Sequence, residues 1–135
     1  MSEHREQAAL IRWARLQAAT LPELALLFAI PNGGARDRIT GARLKAEGVQ
    51  AGVPDLFLPV ARRRWHGLFI ELKTASGKPS PAQRAWIRQL TKQGFLAVVC
   101  HGWEPAKHLI IDYLCEGVSP APPSPFSTPR SNAHD

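Results

Sequence analysis

Two short apolar runs constrain this chain more than anything else in it. They are Asp55-Leu56-Phe57-Leu58 and Gly67-Leu68-Phe69-Ile70-Glu71-Leu72-Lys73, linked by the polar stretch Ala61-Arg62-Arg63-Arg64-Trp65-His66. Both runs are rich in aromatic and branched residues and read as strands, with the link as their turn. Antiparallel pairing keeps the sum of facing residue numbers constant. A turn centred near Arg63 makes that sum about 126, so Asp55 faces Glu71, and a bulge would shift the pairing by one. Side chains alternate along a strand, so Glu71 and Lys73 share one face while Leu68, Ile70 and Leu72 point to the other. Three charged groups thus converge at one end of an otherwise apolar hairpin. The tip arginines, Arg62, Arg63 and Arg64, lie roughly 23–30 Å away along the strands. That distance leaves them remote DNA contact or a dimer contact, but not chemistry.

Two carboxylates held close repel each other unless a proton or a cation intervenes. Oxygen donors with open positions suit Mg²⁺ or Mn²⁺, which keep several waters and bind phosphate oxygens. Such a metal acidifies its water and offsets charge at phosphorus. Lys73 beside it can polarise that water or stabilise the transition state. The ordinary alternative is that Asp55 caps a turn and Glu71 pairs with Lys73 on a solvated face. Charge agrees with the first reading: seventeen Lys and Arg against eleven Asp and Glu give +6, with pI ≈ 10.0. That balance favours a polyanionic partner, although a merely soluble basic protein shares it.

Around the hairpin the pattern is helix–strand–helix–hairpin–helix–strand–helix. This order predicts an α/β fold with a central mixed sheet flanked by helices. Residues 3–18 read as a helix with Ser2 as N-cap, and Glu6, Leu10, Trp13, Ala14 and Gln17 share a face. Leu24–Ile30 reads as the first strand. Pro31-Asn32-Gly33-Gly34 breaks the chain, and its bare N–H groups, beginning at Asn32, suit a phosphate as well as a turn. Residues 36–47 read as a helix that exposes Arg36, Arg43 and Lys45, with Gly48 as its cap. Ser80-Pro81-Ala82-Gln83 is a helix start in which Gln83 closes a capping box. On the same helix Arg84, Arg88 and Lys92 form a basic stripe opposite Ala82, Trp86 and Leu90: a solvated face or a DNA-backbone track. Phe95–Cys100 reads as a buried strand, and Glu104-Pro105 opens a last helix. Residues 117–135 are rich in Pro and Ser and read as a disordered tail, leaving one domain over 1–116.

Cys100 and Cys115 form no zinc-ligand series, and Cys100 reads as a small core residue. No signal peptide or membrane-spanning run is present, so a cytoplasmic, or at least intracellular, location is expected.

The chain resembles the VRR-NUC family, a branch of the PD-(D/E)xK nuclease superfamily. The resemblance rests on Ile30–Gly34, Arg43–Val49, Ala51–Leu56, Leu68–Lys73, Ser80–Gln83 and Gly94-Phe95, an ordered series more specific than the PD…ExK signature alone. It implies a restriction-endonuclease-like core and a metal-dependent DNA endonuclease, often acting on branched DNA. Stand-alone members are similar to Holliday-junction resolvases and tend to be homodimers. The site it implies holds Mg²⁺ or Mn²⁺ on Asp55, Glu71 and the backbone carbonyl of Leu72, with Lys73 serving the nucleophilic water. Glu6 sits where the family carries an acid on the first helix, although a glutamate at the edge of the apolar stripe explains it too. Gln83 gains a place near the metal as a contact to water or phosphate. The alternatives are a DNA-structure-binding module whose nuclease site needs a partner, and a restriction-type endonuclease.

Overall fold

The structure, a computed structural model, describes residues 1–31 and 38–115. The expectations for Asn32, Arg36 and the 117–135 tail lie outside the described residues. Four strands, β1 (Phe28–Ala29), β2 (Leu56–Leu58), β3 (Leu68–Lys73) and β4 (Leu96–His101), form a mixed sheet in that order. β1–β2 and β2–β3 pair antiparallel, while β3–β4 pair parallel. The helices are α1 (Glu3–Gln17), α2 (Arg38–Ala46), α3 (Pro81–Lys92) and α4 (Trp103–Leu114). A parallel neighbour needs a crossover, and α3 supplies it between β3 and β4.

The alternation in β3 sorts the molecule into two layers. Leu68, Ile70 and Leu72 join Leu56 and Leu58 in a large core with Leu10 and Ala14 of α1 and Ala106, Ile110 and Tyr113 of α4. Each leucine or isoleucine among them, fully buried, contributes roughly 1.5–3 kcal/mol. Phe69 on the opposite face packs with Ile87 of α3 and Ala97 of β4. Phe57 stacks on Phe69 at 4.2 Å, and Phe95 meets both rings edge-on. Glu71 belongs by parity to this second face, under α3.

Leu56 stands opposite Ile70, as the hairpin arithmetic requires. At the tip, Arg62 bridges Trp65, one residue out of phase with the register below. Pro59–Ala61 absorbs the extra residue, with the Val60 N–H bonded back to Leu58 O at 2.9 Å. The tip is an internal clamp. Arg62 donates to Leu114 O at the end of α4 (3.1 Å) and to Glu23 (2.9 Å). Arg63 lies over Tyr113 and Arg64 over Trp65. The Tyr113 hydroxyl donates to Val60 O at 2.6 Å, so hairpin and α4 hold each other.

Two local expectations are corrected. Leu24–Ile30 is not a strand throughout: Pro22–Leu26 is a 3₁₀ helix, and only Phe28–Ala29 pairs. Leu24 and Leu27 are buried at a spacing of three, which a helical turn satisfies and alternation does not. In α3 the inward face is Gln83, Ile87 and Leu90, while Ala82 is exposed and Trp86 half-buried. The expected 36–47 helix is described from Arg38, and it ends as foreseen at Gly48. There Gly48 N–H bonds Lys45 O and Val49 N–H bonds Leu44 O, a Schellman closure with Gly48 at φ 103°.

The loop before β2 is pressed onto α3. Gly52 has φ 96°, and a Cβ there would come within 3.0 Å of the Ala82 backbone. We expect Gly52→Ala to lower stability by about 2 kcal/mol, since both conformation and space exclude a side chain. Urea denaturation measures this, and an unchanged midpoint would mean the loop need not touch α3.

Candidate active site

Extending the β2–β3 register by one step puts Asp55 beside Glu71, and the side chains make that proximity explicit. Asp55 Oδ2 accepts the Leu72 N–H at 2.8 Å, locking the carboxylate across the strand end. The Asp55 carbonyl in turn accepts Ile30 N–H at 2.8 Å, so the residue is tied on both sides. Glu71 is 1% exposed, and no other charged residue among those described is so buried. Its Oε2 accepts from Gln83 Nε2 at 2.8 Å and lies 3.6 Å from Lys73 Nζ. Its Oε1 is buried with no hydrogen-bond partner.

Gln83 does two jobs at once. Its Oε1 accepts the Ser80 N–H at 2.8 Å and its own N–H donates to Ser80 Oγ at 3.1 Å, a complete capping box. The amide group left over by the cap is the one that holds Glu71. A capping box therefore fixes which end of α3 meets the site and in what rotation.

The acid that α1 brings to the site is Glu3, not Glu6. Glu3 Oε2 lies 3.9 Å from Lys73 Nζ. Its charge also helps to raise the pKa of both Asp55 and Glu71. Glu6 instead accepts the Trp103 N–H at 2.8 Å, closing the first turn of α4, whose N-cap Gly102 offers no side chain. A carboxylate at a helix N-terminus is well placed electrostatically. Two acids one turn apart on a helix face give similar patterns, so spacing alone could not choose between them.

Lys73 is largely buried, flanked by both acids. His101, its register partner on β4, holds the next residue: Nδ1 bonds Thr74 O at 2.9 Å. Leu72 points its side chain into the large core, while its backbone lines the site. Arg43 and Lys45 are exposed on the last turn of α2, and Arg84 and Arg88 on α3. None of the four enters the carboxylate cluster through a described hydrogen bond or ion pair.

Electrostatics set the chemistry. Burial pushes Glu71 from 4.5 up to about 8, helped by the neighbouring Asp55 charge and opposed by Lys73. Asp55 is also raised by burial, against the pull of the Leu72 N–H. By contrast, burial pushes the Cys100 thiol up to about 12, an inert core group. Crowded carboxylates with a bare buried oxygen suit a hard divalent cation, and the donor set fits one. Mg²⁺ is held in many sites by one or two carboxylates, with water and phosphate completing the shell. Among the described residues no cluster of three or more acid, histidine or cysteine side chains is set for a metal. The site is thus a two-carboxylate arrangement rather than an all-protein cage.

Comparison with known proteins gives a consistent result. The model of the VRR-NUC domain family matches residues 1–104. A solved structure described as a VRR_NUC domain protein superposes with a TM-score of 0.72 at 31% identity, covering 84% of this chain and 88% of that one. No curated protein matches the chain.

A glutamate that holds its proton more tightly folded than unfolded stabilises the fold fully below its unfolded value. That contribution is lost as pH rises through its folded value. Metal-free protein is therefore expected to lose stability between about pH 4.5 and 8. Glu71→Gln should flatten that stretch of the curve. Urea midpoints in EDTA across this range provide the check, and parallel pH curves for the two proteins would contradict it.

Proposed function

The chain belongs to the VRR-NUC nuclease family, and from that membership we propose that it is a divalent-metal-dependent endonuclease hydrolysing phosphodiester bonds in DNA. The observation that carries the reading is Glu71: a buried carboxylate with one oxygen held by Gln83 and the other unpartnered, beside Asp55 and Lys73. A structural ion pair would have satisfied that oxygen internally.

Asp55 and Glu71 would hold Mg²⁺ or Mn²⁺, with the Leu72 carbonyl as a further donor. The bound cation would supply an acidified water and charge neutralisation at phosphorus. The residues of the chain do the rest. Gln83 holds Glu71 by one oxygen and leaves the other free of a hydrogen-bond partner. The Leu72 N–H holds Asp55 so that its carboxylate cannot swing away. The Lys73 ammonium orients the attacking water or stabilises negative charge on the phosphoryl oxygens. Glu3 sets the position of Lys73 from the opposite side. The exposed Arg43, Lys45, Arg84 and Arg88, with the net charge of +6, serve phosphates away from the cut.

Branched DNA is the substrate class we favour, with a two-fold dimer presenting two sites to two strands. Four-way junctions, flaps and linear duplexes, each with Mg²⁺, Mn²⁺ and EDTA, test this. Cleavage that needs metal and favours junctions is expected, and equal cutting of linear duplex would remove the structural preference.

Lys73→Ala is expected to lower the cleavage rate by about 10²–10⁴-fold while leaving DNA affinity nearly intact. Unchanged turnover of a folded variant would take Lys73 out of the mechanism. The two acids of α1 should separate. Glu3→Gln should slow turnover, whereas Glu6→Ala should cost about 1 kcal/mol of stability and little rate per folded molecule. The reverse pattern in paired rate and urea measurements would return the site role to Glu6.

A further inference from the structure

We infer that an apolar cleft beside Trp86 binds one unstacked nucleobase of the DNA strand held at the carboxylate site, an inference that rests on the nuclease reading above. The cleft has a volume of about 310 Å³ and is walled by Ile30, Pro31, Val49, Val53 and Trp86. Its size lies at the lower end of pockets that take small organic ligands, roughly 300–1,000 Å³.

The tryptophans set this place apart. Trp13, Trp65 and Trp103 all pack against the large core. Trp86 belongs to neither core cluster and is half-exposed. Val49 and Val53 also stand outside both clusters. An aromatic ring flanked by aliphatic side chains and left out of the interior is a stacking platform without a described occupant. Base–aromatic stacking tolerates any sequence, as an enzyme reading DNA shape requires.

Its walls are the site's own supports. Val53 is two residues before Asp55 on the same loop. Ile30 donates its N–H to the Asp55 carbonyl at 2.8 Å. Trp86 follows Gln83 by three residues, roughly 4.5 Å along α3. The charge at the cleft selects between the parts of a nucleotide. Among the described residues that line it there is no basic side chain, and Glu47 is one of them. That carboxylate repels phosphate but accepts a hydrogen bond from an exocyclic amino group. The described lining, apolar with one carboxylate, suits a base better than a phosphate.

The test uses full-length Lys73→Ala protein with Mg²⁺, in which binding is read by anisotropy without cleavage. A single abasic site is walked along the bound strand. One position is expected to weaken binding by about tenfold or more, the scale of one lost stack. Trp86→Leu should weaken binding of intact DNA by a similar factor and become indifferent to an abasic site at that position. Trp86→Phe should keep the position-specific effect, which guards against a loss caused by unfolding. Equal binding at every abasic position, or losses from Trp86→Leu and the abasic site that multiply, would overturn the inference. Failure of the nuclease reading looks different: wild-type protein would leave all DNA uncut in both metals, whatever the abasic walk shows.

Discussion

A carboxylate sealed inside a small domain is the constraint around which this structure is arranged. Glu71 is 1% exposed and carries one bare oxygen. An ionised group in that position is tolerable only with a partner charge, a proton, or a cation. Each neighbour limits what the group can do. Gln83 satisfies one oxygen, Lys73 lowers the cost of charge, and Asp55 raises it. What remains is one buried carboxylate oxygen without a hydrogen-bond partner at the C-terminal end of β3, where β2, β3, α1 and α3 meet. A fold seeking stability alone would place an apolar residue there, since buried ion pairs are often no better than packed hydrophobes.

Much of this was legible in the chain because it followed from local rules. Period-two alternation placed Glu71 and Lys73 on one face and the leucines on the other. Hairpin arithmetic put Asp55 opposite Glu71, and the bulge that could have spoiled it occurs nearer the tip, at Pro59–Ala61. The Ser80–Gln83 capping box predicted the start of α3 and proved compatible with a site role, because an amide has two ends. What was not legible depended on how elements seat against each other. Glu3 and Glu6 are one turn apart, and the choice between them is set by how far α1 slides along the sheet. The rotation of α3 buries Ile87 rather than Trp86, although an apolar stripe through Trp86 reads as well. A segment as short as Leu24–Ile30 cannot declare its period, and Pro22 turned it into a 3₁₀ start.

The three arginines at the hairpin tip have internal partners that charge alone does not reveal. They suggested a remote DNA or dimer contact. Within the chain, Arg62 closes the C-terminal end of α4 and pairs with Glu23, while Arg63 and Arg64 lie over Tyr113 and Trp65. Guanidinium groups suit this use because they can donate in a plane and lie over aromatic rings. The clamp fixes the end of the hairpin opposite the site. With the Tyr113–Val60 bond it keeps the long axis of β2–β3 from twisting relative to α4.

Glu6 acquires a meaning from this arrangement that its site role would have hidden. Three helices, α1, α3 and α4, begin near the C-terminal ends of β3 and β4, and each start carries unpaired N–H groups and partial positive charge. Ser2 and Ser80 cap α1 and α3, while α4 begins at Gly102, which has no side chain to do so. Glu6 supplies that cap from a neighbouring helix. The consequence is twofold: α1 is fastened to α4, and the position of Glu3 along the sheet is fixed by a bond made one turn further on. The acid that faces Lys73 is thus placed by the acid that does not.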